Sequence, residues 1–364
     1  MKHVFRLAIV VLGVSLLLWA GCDTQQALGP EAELDQRVLA FSTADPQFQA
    51  VIAVQDRVSD ALMQRPEVIG TGAGLTEDGR PALVVLARSP LTTGDPAKGA
   101  AVPDQIDEVP VVVLVIGEIK ARAKFPLRRL VPSDSFPRPV PIGVSTGHPD
   151  ITAGTIGARV KRGNTFYALS NNHVYANTNN ASIGDLVIQQ GTFDGGEAPE
   201  DAIGRLRAFE PIVFCNPWPT NCPSNSIDAA LATTRPTLID NATPSDGYGT
   251  PQSQTVAPTV GLHVMKYGRT TVLTAGNISA INATIDVGYD DVAPNDSIAR
   301  FVGQIVITSG SFSAGGDSGS LIVVRGGADR LKPVGLLFAG STTTTIANVI
   351  GDVLSNWGIT IDGQ

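Results

Sequence analysis

The chain has 364 residues, a formal net charge of −8, 43% apolar residues, 38 glycines and 25 prolines. That apolar content suffices for a sizeable core and excludes a largely disordered chain, while the acidic balance, without clustered Lys and Arg, excludes the electrostatic footprint of a nucleic-acid binder. Abundant turn formers with plentiful Thr and Val predict many short strands rather than long helices.

Lys2, His3 and Arg6 precede an uncharged run at 7–19 and then Ala20-Gly21-Cys22. A basic start, a short apolar stretch and a small-residue end predict an export signal over 1–21; the run falls short of the roughly 20 residues of a spanning helix. Ala20-Gly21-Cys22 resembles the lipobox of bacterial lipoproteins, although Trp19 stands where leucine is usual. The resemblance implies cleavage before Cys22, acylation of its thiol, and membrane contact only through that lipid anchor at the cell envelope. A plain secretory signal beside a cysteine is the other reading. In an exported chain the remaining cysteines, Cys215 and Cys222, can pair as a disulfide. Two free buried thiols are the alternative, and no further cysteine or His pair would complete a metal site.

Residues 22–44 read as a polar tether. Asp45-Pro46 signals a helix start, and Val51, Val54, Val58 and Leu62 form a helical stripe that should stop before Pro66. Extended runs at 68–75 and 81–88 flank an Asp78-Gly79 hairpin signal, and 109–116 reads as a buried strand. Together these predict a small α+β module over 45–122, followed by a Pro-rich linker at 123–141. Beyond it, short strands are predicted at 152–160, 165–169, 186–190, 203–206, 272–281, 301–308, 320–324 and 333–338, with a closing helix near 349–357. About 220 residues of this kind suit two packed barrels or a sandwich.

The strongest chemical signal is Phe312-Ser313-Ala314-Gly315-Gly316-Asp317-Ser318-Gly319-Ser320, followed by the apolar strand Leu321-Ile322-Val323-Val324. A serine nucleophile needs a neighbouring base and N–H donors aimed at the developing oxyanion; flanking glycines allow the turn that points those donors inward. Upstream, Tyr167-Ala168-Leu169-Ser170-Asn171-Asn172-His173 places a histidine, suited to general-base work, just after an apolar strand. Ser226-Ile227-Asp228-Ala229-Ala230-Leu231 supplies a carboxylate at the opening of a strand, 55 residues after His173 and 90 before Ser318. Asp201 is the rival, only 28 residues after His173.

These three segments, in the order His, Asp, Ser, resemble the trypsin-like serine peptidases. Further cues are Thr152-Ala153-Gly154-Thr155-Ile156-Gly157, Lys266-Tyr267-Gly268-Arg269-Thr270-Thr271 and Pro333 to Ser341. They bring the region from Ile142 onward closest to a bacterial branch related to the plant narrow-leaf protein. The resemblance implies a mainly β, chymotrypsin-like double barrel. It implies hydrolysis of peptide or protein substrates through an acyl-enzyme, without metal or cofactor. His173 would deprotonate Ser318, Asp228 would orient His173, and the Gly316 and Ser318 N–H groups would hold the oxyanion. It also places Phe312 at the base of the primary pocket, and Phe338, Ala339 and Gly340 on the strand that pairs with substrate. A core position for Phe312 is the alternative. An esterase with the same triad, or a non-catalytic binding or scaffold protein on this fold, are the competing functions. Asp290, Asp291 and Asp296 form an acidic loop without regular calcium-ligand spacing, which reads as solvated.

Overall fold

In the computed structural model, which describes residues 41–94, 102–121, 132–289 and 297–364, the chain enters through helix α1 (Pro46–Met63). Asp45 caps it by accepting the Gln47 N–H at 2.9 Å, and Pro46 sits in the first turn, where its missing N–H costs nothing. Phe48, Val51, Val54 and Leu62 make its buried face. The export signal, Cys22, most of the tether, the first half of the linker and the acidic loop at Asp290, Asp291 and Asp296 lie outside the described residues.

Strands β1 (Val68–Leu75), β2 (Pro81–Ala87), β3 (Gln105–Ile106), β4 (Val109–Val115) and β5 (Lys120–Ala121) follow. Next come β6 (Ser145–Thr146), β7 (Gly154–Thr155), β8 (Ala158–Arg162), β9 (Thr165–Ser170), the one-turn helix α2 (Asn172–Tyr175), β10 (Leu186–Ile188), β11 (Ala202–Phe209), β12 (Ser224–Asn225) and β13 (Ala230–Thr234). The final stretch holds β14 (His263–Gly268), β15 (Val272–Gly288), β16 (Ile298–Thr308), β17 (Leu321–Val324), β18 (Pro333–Gly340), β19 (Thr344–Val349), α3 (Ile350–Trp357) and β20 (Thr360–Ile361).

Six late strands close a barrel through antiparallel pairings, in the order β14, β15, β16, β19, β18, β17 and back to β14. Closure leaves none of the six with an open edge along its whole length. A second sheet runs β10, β11, β13, β9, β8, β20. Residues 143–147 curl it towards closure, with Gly147 bridging Ile188 and the Gly143 N–H donating to Ile156 O at 2.6 Å. The C-terminal β20 returns to β8, and beside it Asp362 pairs with Arg159 and Lys161 at 2.6 and 2.8 Å. The fold is mainly β, as the sequence predicts, with a closed barrel of six strands and a second, six-stranded sheet. The predicted histidine follows a strand of one sheet and the predicted serine precedes a strand of the other.

Residues 45–122 contain the predicted helix, hairpin and third strand, but they do not stand apart as a module. β1 pairs antiparallel with the outer half of β15, from Gly70↔Ile285 to Gly74↔Ala280; β2 pairs with β1 and β4 runs parallel to β2. The barrel's sheet therefore continues into the N-terminal strands, and residues 39–364 form one compact unit. The physical reason is the length of β15. At 17 residues it outruns the predicted 272–281, and its far half offers an edge that must be covered. Glycine in β1 permits the close approach, since a Cβ on Gly70 would lie 2.6 Å from the Thr284 carbonyl oxygen. Phe48, Val51, Leu83 and Val85 share one apolar cluster with Val264, Ile278, Ile307 and Leu337 of the barrel. Two smaller differences follow from local chemistry. The predicted strand 152–160 is split into β7 and β8 around Ile156-Gly157, and β19, built on a threonine run, is absent from the predicted strands.

Because that cluster is shared, residues 132–364 expressed without the N-terminal strands should melt about 5 °C or more below residues 41–364. Equal melting temperatures in a thermal denaturation would show that β1 contributes nothing to the barrel.

Candidate active site

Strand pairing brings the imidazole and the carboxylate together. β9 ends at Ser170 and turns into α2, which carries His173, while Asp228 stands just ahead of β13, whose Ala230 pairs with Ser170. His173 Nδ1 and Asp228 Oδ2 are 2.6 Å apart, and the His173 backbone N–H donates to Asp228 Oδ1 at 3.3 Å. Tyr289 donates its phenol to Asp228 Oδ2 at 2.9 Å. Asp228 is fully buried, where an unpaired carboxylate would be strongly destabilising; three donors offset that cost. Burial, and then the Asp228 charge, push the Tyr289 phenol pKa well above its ordinary value, so it remains a donor. The backbone at Asp228 is held as well. Its N–H donates to Asn348 Oδ1 at 3.1 Å, Asn348 Nδ2 donates to Gln304 Oε1 at 2.8 Å, and Asn171 Nδ2 donates to Asp228 O at 2.7 Å. Since the carboxylate can only accept, the ring proton belongs on Nδ1 and Nε2 is left as the lone-pair nitrogen.

The serine loop is organised around the residue before the serine. Asp317 Oδ1 accepts the Thr270 and Thr271 N–H groups at 2.8 and 3.2 Å. Its Oδ2 accepts the Ala314 N–H at 2.9 Å and the Thr271 hydroxyl at 2.6 Å. Lys266 Nζ completes the set 3.2 Å from Oδ2, with both side chains 0% exposed. Desolvation lowers the Lys266 pKa while the Asp317 charge opposes that shift. Gly316 and Gly319 take φ values of +86° and +95°, which favour glycine. At Gly319 a Cβ would fall 2.2 Å from both Thr155 O and Ser170 Oγ, so the loop reaches the first sheet only because the side chain is absent. Thr155 fastens it there. Its N–H donates to Ser318 O at 2.8 Å, its hydroxyl donates to Gly316 O at 2.8 Å, and its carbonyl accepts Ser170 Oγ at 2.8 Å.

His173 and Ser318 thus share one buried neighbourhood. Gly154 separates their segments: a Cβ there would lie 2.5 Å from Val174 Cγ2 and 3.1 Å from Ser318 O. On the other side, Ser318 Oγ donates to Phe338 O at 3.2 Å. Phe338 packs on Phe301 (4.8 Å between centroids), Phe301 on Tyr289 (6.3 Å), and Tyr289 edge-on to His173 (6.1 Å). The resemblance implies a proton passing from Ser318 to His173, yet no hydrogen bond joins the two side chains. His173 Nε2 is buried with no hydrogen-bond partner, because the Ser318 hydroxyl is turned to Phe338 O.

The remaining predicted positions divide clearly. Cys215 and Cys222 form a disulfide. Asp201 is not a partner of His173; it accepts the Glu197 N–H at 2.8 Å in its own turn. Phe312 is fully buried in the apolar cluster with Val264 and Ile307, pressed against Gly276, so it takes the core position. Phe338 and Ala339 belong to a second apolar cluster with Phe301 and Ile346. Gly340 ends β18, and Gly316 sits two residues before Ser318. Among the described residues no cluster of His, Cys, Asp and Glu is placed to hold a metal. Sequence reasoning missed Tyr289, Lys266 and Thr155 as supporting residues. Lys266 had a legible signal, a lone cation inside the apolar strand Val264 to Tyr267; Tyr289 had none, because its partner lies 61 residues away.

A family model described as the Nal1 C-terminal domain matches residues 251–363, the stretch from β14 to β20 that carries Ser318. No curated protein sequence matches the chain. Similar solved structures include a glutamic-acid-specific serine protease described as using a histidine triad in substrate binding, at 19% identity and TM-score 0.42, covering 61% of this chain and 100% of that one. Thermobifida fusca protease A has 15% identity and TM-score 0.42 over 62% of this chain and 99% of that one. Cellulomonas bogoriensis chymotrypsin has 16% identity and TM-score 0.39 over 62% and 99%.

Replacing Lys266 by Met would strand a buried carboxylate at the head of the serine loop. The expected cost is about 3–5 kcal/mol, read by urea denaturation; a loss below about 1 kcal/mol would contradict a structural role for this pair.

Proposed function

We propose that the chain is a serine peptidase that hydrolyses peptide bonds of peptide or protein substrates through an acyl-enzyme. In this reading Ser318 Oγ attacks the scissile carbonyl as His173 Nε2 takes its proton. Asp228 holds the imidazole in the Nδ1–H tautomer and stabilises the imidazolium, and the Gly316 and Ser318 N–H groups receive the oxyanion. The collapse of the tetrahedral intermediate expels the amine, which takes the proton back from His173; water then repeats the sequence to free the acid.

One observation carries the reading: a buried imidazole whose Nδ1 is locked to a carboxylate at 2.6 Å while Nε2 has no partner. A buried ring nitrogen left bare is costly, and a structural histidine would satisfy it. Rotation of the Ser318 side chain away from Phe338 O is the movement that would supply the partner, and catalytic hydrogen bonds often tighten only once substrate is bound. The Cys215–Cys222 disulfide agrees with an oxidising compartment, and so with the export read from residues 1–21; anchoring through Cys22 belongs to the same proposal.

A fluorophosphonate probe should label wild-type protein at Ser318, and Ser318→Ala should abolish labelling and lower peptide turnover by about 10⁴-fold or more. A folded protein that does not label, or a Ser318→Ala variant that keeps its turnover, would overturn the proposal. Tyr289→Phe removes one donor from Asp228 without touching the reacting atoms. It should lower kcat roughly tenfold with little change in KM, and an unchanged kcat would remove Tyr289 from the machinery.

A further inference from the structure

β17 pairs with β18 only as far as Leu336, and the last contact from that side is the Gly319 N–H on Leu337 O at 2.8 Å. Past this point the edge of β18 is open to another strand, and this is where Phe338 O holds the Ser318 hydroxyl. The opposite edge stays occupied throughout by β19. A peptide joined to Ser318 Oγ through its carbonyl would therefore find, one residue from the point of attachment, a vacated main-chain edge at Ala339 and Gly340. Strand addition to such an edge is a general way to bind an extended peptide.

The edge is already filled, by the chain itself. β5 lies antiparallel on it, with Ala121 opposite Ala339 and Lys120 opposite Gly340. Its other side is held by β15, with Lys120 opposite Gly288 and the Gly288 N–H donating to Ile119 O at 3.1 Å. Ile116 and Ile119, 4% and 1% exposed, are sunk in the apolar cluster that contains Phe338, Ala339 and Tyr289. In the direction from Lys120 to Ala121 the backbone runs towards Phe338, and so towards the serine hydroxyl.

We infer that Lys120–Ala121 occupies, in cis, the edge on which the acyl side of a peptide substrate pairs, so that the chain holds its own site closed to extended peptides. The inference rests on the peptidase reading above. A substrate must displace β5, and its apparent affinity falls by the fraction of molecules in which the edge is free. A small reagent that reacts with Ser318 without pairing along β18 pays no such penalty. The segment is a competitor built into the fold, poised by two isoleucine anchors rather than by a covalent lock.

The test uses the full chain and two probes for Ser318: a small alkyl fluorophosphonate, and a fluorophosphonate carried on an extended tripeptide. Lys120→Pro removes a β5 N–H and fixes its φ, while Ile119→Ala keeps the backbone donors and weakens the buried anchor. Melting temperatures establish that each variant is folded. The expected result is that both variants react with the peptidyl probe on the order of tenfold faster than wild type or more, while the small probe reacts at the same rate in all three. If the small probe labels every protein and the peptidyl probe shows no gain in either folded variant, β5 does not compete for the edge and the inference fails, with the peptidase reading intact. Labelling by neither probe in any folded protein overturns the peptidase reading and the inference with it.

Discussion

A fully buried carboxylate needs donors, and the way Asp228 finds them dictates much of the geometry around it. The charge lies where the two sheets meet, out of reach of water, so each element that approaches must bring a hydrogen. α2 brings the imidazole and a backbone N–H, and the end of β15 brings a phenol. The same requirement sets the tautomer of His173: with Nδ1 donating, the remaining ring nitrogen has a lone pair and no proton. The chemistry proposed for the site therefore follows from the electrostatics of burial before any substrate is considered.

Asp317 repeats the logic beside the closed barrel. It too is fully buried, and it is satisfied by the turn at Thr270-Thr271, the Ala314 N–H and a buried ammonium from β14. One buried charge orders the histidine side and the other orders the serine loop, and Thr155 joins them by bonding to Gly316, Ser318 and Ser170. Charges placed this way stabilise little in net terms, since desolvation and attraction nearly cancel. What they supply is a defined shape, because any arrangement that lost one donor would leave an unpaired charge indoors. The N-terminal strands add a further constraint. By covering the outer half of β15, they support the strand whose end holds Tyr289 and whose edge holds Lys120.

The parts that could be read in the sequence are those written locally. The glycine-flanked serine ahead of an apolar strand, the histidine just beyond a strand end and the aspartate opening another strand each show in a window of about ten residues, and the structure brings all three into one neighbourhood. The helix at 46–63 and the hairpin after it were equally visible through capping and turn residues. Contacts set by tertiary packing were not. Asn282 interrupts the apolar pattern of β15 just past the predicted end at 281, which hid the strand's length and with it the continuity of the N-terminal strands with the barrel. Phe312 was ambiguous because an aromatic next to a polar turn suits a pocket floor or a core equally, and only the crowding against Gly276 decides for the core. A two-residue strand such as β5 has no period to detect; its meaning comes entirely from the edge it lies on.

The most direct measurement of the central claim is the protonation of the two ring nitrogens of His173, read by nitrogen NMR on selectively labelled protein at a pH where the imidazole is neutral. A proton on Nδ1 coupled to the Asp228 carboxylate, with Nε2 showing the shift of a bare nitrogen, is the result this account predicts. A proton on Nε2 with Nδ1 bare would mean that the histidine presents no base to Ser318, and the account would be contradicted at its root.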